Sequence, residues 1–269
     1  MPDHTQSEAA IQRLEDAKKD EPELAAYYQF YQNVFCLQAE SKTSISRELE
    51  MIDEQALVAR ALQGLPQLAF SQLPIDPEQF NELALEIADA LLEYQGQDNE
   101  ENELSFEDVD WVSLARESFE EGLSKADPEP LELVAHLATA PYLEWASEQI
   151  MPHLAEVSWK KGTCPVCGGE PNFAYLEKEE GSRLLICSRC LAEWRYMRME
   201  CPFCDNKDTT KLRYYPAGEK KTHRLYVCDA CQRYLKAVDM REVKDKVILL
   251  AEPVLTWSLD RAAREKGYG

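Results

Sequence analysis

The sequence has no long apolar run and few of the residues that mark common catalytic sites. No stretch approaches the roughly 20 apolar residues of a transmembrane helix, so we predict no membrane span. The N-terminal residues are polar, with no apolar run behind them, and we expect no signal peptide. With four histidines and ten glycines, the chain shows neither a glycine-rich phosphate loop nor a nucleophile–base pair. These absences favour a cytoplasmic protein that is not an enzyme.

Charge is distributed unevenly along the chain. The 269 residues include 50 acidic and 29 basic side chains, for a net charge of -21. Residues 1–150 hold 33 acidic and 8 basic residues, whereas residues 151–269 hold 17 and 21. The length predicts two domains, and the change in charge places the boundary near residues 155–163. An acidic chain is repelled by phosphate, which argues against general nucleic-acid binding.

The acidic half has the periodicity of helices. Between Leu24 and Phe35, apolar and aromatic residues recur three and four positions apart. Asp76-Pro77 is a helix-start signal, with Asp as the cap and Pro at the first helical position. Pro141 is predicted to kink or divide a later helix. Residues 1–157 are therefore predicted to form an irregular bundle of about five to seven helices.

Eight of the nine cysteines form four Cys-x-x-Cys pairs, separated by 19, 10 and 23 residues. Two thiolates spaced in this way can bind one metal from a tight turn, and two such turns complete a tetrahedral site. A cytosolic chain argues against four structural disulfides. We therefore predict eight metal ligands: Cys164, Cys167, Cys187, Cys190, Cys201, Cys204, Cys228 and Cys231. The ninth, Cys36, is interpreted as a small buried hydrophobic residue.

The four pairs, or knuckles, form an internal repeat. Arg183–Cys187 matches Arg224–Cys228, and each repeat is predicted to be a knuckle, a hairpin and a second knuckle. The repeat places the first two knuckles around one metal and the last two around another. A closed site of four sulfurs suits zinc and equally a single iron of the rubredoxin type, so two metal ions are predicted without a choice between them.

Several arginines lie close to the knuckles in sequence. Four thiolates on a divalent ion leave about two negative charges. Arginines could offset that charge, which would explain the basic character of this half. An RNA-binding surface is the alternative explanation, which we favour less. The residues are Arg183, Arg189, Arg195, Arg198, Arg213, Arg224 and Arg233.

Three stretches together resemble one known family. The first runs from Cys164 to Cys204 and includes Arg183-Leu-Leu-Ile-Cys-Ser-Arg-Cys190, Trp194 and Arg198. The second is Cys228-Asp-Ala-Cys231 followed by Tyr234-Leu-Lys236, and the third is the tail Leu259-Asp260-x-x-Ala263-x-Glu265-x-Gly267-Tyr268. This pattern resembles the formate dehydrogenase accessory protein family, FdhE. Asp205 departs from the glycine that often follows such a knuckle, so altered geometry is expected at the second site.

The resemblance implies an α+β multidomain architecture. We expect an acidic all-α domain over residues 1–157 and two rubredoxin-like or zinc-ribbon metal modules over residues 158–197 and 198–250. A C-terminal helix over residues 251–269 completes the chain. We call residues 158–197 the first module and residues 198–250 the second module throughout.

The resemblance also implies a function. The chain is expected to be a cytoplasmic maturation factor that binds the catalytic subunit of respiratory formate dehydrogenase before export by the twin-arginine route. The eight knuckle cysteines would be the family's metal ligands. Two alternatives from other classes stay open, a rubredoxin-like electron carrier and a zinc-ribbon nucleic-acid binder. Oligomeric state is open too, and a homodimer is compatible with the sequence.

Overall fold

The computed structural model describes residues 4–45, 49, 53–96, 106, 108–122, 129–218 and 221–269. Two compact units are present, one formed by residues 1–50 and 69–146 and the other by residues 51–68 and 147–269. The helices are α1 His4–Asp20, α2 Ala25–Ser44, α3 Glu54–Leu62, α4 Pro77–Gly96, α5 Trp111–Glu121, α6 Pro130–Ile150, α7 Glu252–Leu255 and α8 Trp257–Glu265. Short 3-10 helices occupy Pro22–Leu24, Phe70–Gln72 and Met151–Leu154. The division into four segments at residues 157, 197 and 250 stays a prediction.

The first unit is helical, as predicted. Its core contains large side chains with almost no exposure, including Tyr28, Phe80 and Trp111. The helix-start signal is confirmed, because α4 begins at Pro77 and the Asp76 carboxylate accepts hydrogen bonds from the next two free backbone N–H groups. Helix α6 continues through Pro141, so this proline does not divide it. No helix in the described part of the chain is long and apolar enough to cross a membrane.

The structure corrects the interpretation of Cys36 as a buried residue. Its side chain is exposed on α2 and its thiol lies 3.5 Å from a carboxylate oxygen of Glu40. The residue is therefore not the buried hydrophobic residue that the helical pattern suggested. Glu40, one turn further along α2, is exposed as well, so the two side chains share a solvent-facing side of the helix.

The second unit is built on one six-stranded sheet. The strands are β1 Pro171–Leu176, β2 Arg183–Cys187, β3 Glu193–Tyr196, β4 Leu212–Ala217, β5 His223–Cys228 and β6 Arg233–Asp239. They lie in the order β3-β2-β1-β6-β5-β4. Each repeat therefore supplies three strands, the predicted hairpin plus a third strand after its closing knuckle. Strands β1 and β6 pair in parallel and join the two repeats, whereas the other pairs are antiparallel.

The C-terminal helix packs on the second repeat. Ala263 of α8 and Tyr268 form a buried cluster with Leu225 and Val227 of β5. The chain end is fixed as well, because the backbone N–H of Gly269 donates to the carbonyl of Gln232 at 2.9 Å. The tail is thus part of the same core as the second repeat.

Candidate metal centres

All four knuckles share one backbone feature. The residue after the second cysteine lies in the left-handed region, with φ of 75° at Gly168, 55° at Leu191, 54° at Asp205 and 59° at Gln232. This conformation turns the chain so that both thiols of a pair point to the same side. Only the first knuckle uses glycine, the residue that adopts it without steric cost.

Asp205 takes this conformation despite its side chain. Its backbone N–H donates to the carbonyl of Cys201 at 3.0 Å, matching the 3.1 Å bond from Gly168 to Cys164. The altered backbone expected at this knuckle is therefore not observed. Aspartate is among the residues that tolerate the left-handed region best, because its short polar side chain bonds locally.

The first knuckle pair brings four thiols together, those of Cys164, Cys167, Cys187 and Cys190. Sulfur–sulfur distances include 3.5 Å between Cys164 and Cys190 and 3.4 Å between Cys167 and Cys187. A tetrahedral ion with metal–sulfur bonds of about 2.3 Å has sulfur–sulfur edges of about 3.8 Å. The four residues are all buried. Their donor set and spacing fit a zinc or iron ion.

Backbone N–H groups point at the sulfurs of the first cluster. Val166 donates to Cys164 at 3.3 Å, Gly169 to Cys167 at 3.4 Å, and Arg189 to Cys187 at 3.4 Å. Such donors stabilise thiolates over thiols, because hydrogen bonds to the charged form favour it. The turns therefore position the sulfur ligands and also stabilise their ionised form.

The second cluster consists of Cys201, Cys204, Cys228 and Cys231. Its sulfurs are 3.7 Å apart between Cys201 and Cys231 and between Cys204 and Cys228. Unlike the first cluster it reaches the surface, since Cys204 is exposed and Cys231 is partly exposed. Both clusters could bind a metal ion, but only the second offers solvent a direct route to a sulfur.

The thiol pKa values of the first cluster indicate how a bound cation would stabilise it. In the first cluster, burial opposes ionisation of Cys164 and Cys190 and holds the pKa values of both thiols well above the ordinary value. Cys187 is the exception, because hydrogen bonds from its neighbouring thiols outweigh burial and hold its pKa well below that value. One shared negative charge is therefore favourable, and a second is not unless a bound cation compensates it.

The arginines near the knuckles are mostly paired with carboxylates. Salt bridges join Arg195 to Glu177, Arg213 to Asp229, Arg224 to Asp239 and Arg233 to Glu170. From the sequence, all seven arginines could compensate the charge of the metal sites. These four are paired with carboxylates instead, so this is not their main role. Arg183 differs, since no carboxylate in the described part of the chain forms a salt bridge with it.

Two distant sequence motifs meet in the structure. The Lys236 ammonium donates to one oxygen of the Asp260 carboxylate at 2.7 Å, and the Tyr234 hydroxyl donates to the other at 2.8 Å. The Tyr268 hydroxyl donates at 2.6 Å to the carboxylate of Asp229, which lies within the fourth knuckle. The Tyr-Leu-Lys segment and the tail thus recognise each other, which sequence alone did not show. His223 belongs to neither four-cysteine cluster. Its ring nitrogen Nε2 lies 2.8 Å from a carboxylate oxygen of Glu252.

Comparison with known proteins agrees with this architecture. Residues 163–198 match the family model described as FdhE, central domain. A protein FdhE homolog of Aquifex aeolicus is 28% identical over 268 residues, covering 97% of this chain and 92% of that protein. A Pseudomonas aeruginosa homolog is 32% identical over 148 residues, which are 52% of this chain and 48% of that protein. Protein FdhE of Escherichia coli is 30% identical over 117 residues, 42% and 37% of the two chains.

A solved structure shows the same fold. The crystal structure of the FdhE protein from Pseudomonas aeruginosa matches with a TM-score of 0.63 at 22% identity, covering 97% of this chain and 91% of that one. The fold and the two cysteine clusters define an α+β protein with a helical unit and a ribbon-type unit that could hold two metal ions. The matches confirm the resemblance to the formate dehydrogenase accessory protein family, FdhE.

Proposed function

We propose that this chain is a cytoplasmic maturation factor that binds the catalytic subunit of respiratory formate dehydrogenase and supports its assembly before twin-arginine export. The observation that carries the proposal is the match to FdhE proteins over nearly the whole chain, together with the two four-cysteine clusters. The chain acts here as a binding protein and not as an enzyme. Each closed set of four sulfurs leaves no coordination position for a substrate, which supports that role.

The eight knuckle cysteines are the metal ligands in this proposal. Four thiolates around one ion satisfy its coordination, and the ion supplies the positive charge that lets the thiols ionise together. The first cluster holds its ion in a buried site and the second holds its ion at the surface. Iron and zinc both suit this donor set.

The direct test is to purify the tagged chain without oxygen from its own cells and to identify the bound proteins by mass spectrometry. A Cys36→Ser variant should behave like the unmodified chain, because this thiol is exposed and lies outside both clusters. We expect both proteins to carry a formate dehydrogenase catalytic subunit when the enzyme is induced. Recovery of a reductase or nucleic acid in place of that subunit would refute the proposal.

The exposed second cluster favours one alternative, a rubredoxin-like electron carrier. Cys204 places a metal-bound sulfur at the surface, where an electron could enter or leave. Redox-active iron is required, so the iron-loaded chain should show a reversible change in visible absorption on reduction. A chain that binds only zinc in its own cells would exclude this alternative.

A further inference from the structure

The third knuckle, Cys201–Asp205, is held by side chains from the first module. Arg183 of β2 donates through one guanidinium nitrogen to the carbonyl of Met197 and, at 2.6 Å, to the carbonyl of Glu200. Glu200 directly precedes Cys201. The guanidinium therefore fixes the segment that leads into the second metal site.

Tyr196 of β3 holds the knuckle itself. Its hydroxyl lies 3.0 Å from a carboxylate oxygen of Asp205 and 3.3 Å from the carbonyl of Cys201, so one proton is shared between the two acceptors. These acceptors belong to the first and last residues of the turn. The same carbonyl accepts the bond that closes the turn, from the backbone N–H of Asp205. The hydroxyl thus ties the two ends of the knuckle together.

The internal repeat shows that this arrangement is not general. Arg224 occupies the position in the second repeat that Arg183 occupies in the first, and it pairs with the buried carboxylate of Asp239 in its own module. Arg183 is only 3% exposed, and its described neighbours include two carbonyls and the rings of Tyr196 and Tyr226 instead of a carboxylate. A buried cation without a negative partner is costly.

The second metal site, once loaded, would supply that negative partner. Arg183 lines the same small pocket as Cys201 and Cys228. An ion bound by four thiolates carries a net charge of about -2 if divalent, so a nearby guanidinium is stabilised when the site is loaded. Arg183 and the loaded second site therefore favour each other electrostatically.

We propose that Arg183 and Tyr196 are positioning residues for the second metal site, so that this site reaches full affinity only when the first module is folded around its own ion. Loading is then ordered. The buried first site fills and organises β2 and β3, which hold the third knuckle ready for the second ion. The exposed second site is the one that gains and loses metal most easily. This inference rests on metal binding by both clusters and not on the identity of the protein partner.

The sharpest test compares two tyrosines that flank the same arginine. Tyr196→Phe removes the hydroxyl that ties the knuckle but keeps the ring. Tyr226→Phe is the matched control, because its buried hydroxyl has no hydrogen-bond partner. Cobalt(II) is titrated into each metal-free full-length chain, and thiolate-to-cobalt and ligand-field absorption are followed. Removing groups that orient ligands typically lowers metal affinity about 10–100-fold.

For Tyr196→Phe we expect the second equivalent of cobalt to bind at least about tenfold more weakly, with shifted ligand-field bands, and the first equivalent to be unchanged. Tyr226→Phe should titrate like the unmodified chain. Equal behaviour of the two variants would overturn the positioning role. So would equal weakening of both equivalents, because that result indicates general destabilisation.

Zinc content of cysteine variants tests the order of loading. After dialysis against a weak chelator, Cys228→Ser should keep about one zinc and Cys187→Ser should keep close to none. A Cys187→Ser chain that holds one zinc at the unmodified affinity would overturn ordered loading. An unmodified chain that binds no metal would refute the metal-ligand proposal instead, so the two failures are distinguishable.

Discussion

Gly162 shows how closely two backbone segments can approach within the ribbon-type unit. A Cβ atom built on this residue would lie 1.8 Å from the carbonyl oxygen of Pro202 and 2.5 Å from its carbon. Both atoms are backbone, so neither can rotate away as a flexible side chain would. Gly162→Ala should therefore destabilise the unit by about 1–3 kcal/mol, the usual cost of overpacking. Urea unfolding of the metal-loaded chain measures this loss.

Gly96→Ala is the control for that substitution. Gly96 is the last residue of α4, and a Cβ atom there would meet nothing within 4 Å. Its effect should stay within about 0.5 kcal/mol, as for most surface changes. Equal stability of the two alanine variants would show that the approach at Gly162 is relieved at little cost.

At the scale of the element, a partly buried ion pair joins helix α8 to strand β6 beside their apolar contacts. Lys236 is 5% exposed, and burial lowers its pKa, while the Asp260 carboxylate of α8 opposes that shift. Asp260→Ala leaves the ammonium buried without this partner. Breaking a buried pair costs about 3–5 kcal/mol, and the partial exposure of Asp260 reduces this to roughly 2–3 kcal/mol. Thermal unfolding measures the effect.

A second carboxylate on α8 provides the comparison. Glu265 forms an exposed 3.8 Å pair with Arg261, so Glu265→Ala should change stability by less than about 0.5 kcal/mol. The double variant Lys236→Met with Asp260→Leu should recover much of the lost stability, because it removes both charges together. No recovery in the double variant would indicate that packing of α8, not charge, determines the loss.

The sequence predicted the elements that are specified by residues close together in the chain. Each knuckle is a turn of a few residues, so its spacing and the internal repeat grouped the eight cysteines correctly into two sets. The third strands were missed, since β3 has only four residues and its partner lies across a knuckle. The parallel pairing of β1 with β6 joins positions more than 60 residues apart and has no local signature. The bond from Tyr196 to the third knuckle is close in sequence, but no residue pattern marks which acceptor a tyrosine hydroxyl will find.

At the scale of the whole molecule, the two units should respond differently to metal removal. The helical unit has its own core around Tyr28, Phe80 and Trp111, whereas metal binding is a large part of the folding free energy of small cysteine-rich modules. A strong chelator should therefore expose residues 158–250 to protease while residues 4–45 and 69–96 stay protected. Cleavage sites are mapped by mass spectrometry. Simultaneous loss of protection everywhere would show that the chain unfolds as one cooperative unit.

The acidic half of the chain leads to a prediction about how the proposed partner binds. Residues 1–150 carry a net charge of -25, and a twin-arginine signal is basic, so the proposed function predicts electrostatic attraction between them. The screening length falls from about 10 Å at 0.1 M salt to about 3 Å at 1 M. Association of the full-length chain with a twin-arginine signal peptide should therefore slow by about tenfold or more over this range. The same peptide with both arginines replaced by glutamine should bind more slowly at low salt and depend less on salt, because it carries fewer charges. An association rate that is equal at both salt concentrations would mean that the acidic half does not attract the signal and that recognition uses another surface.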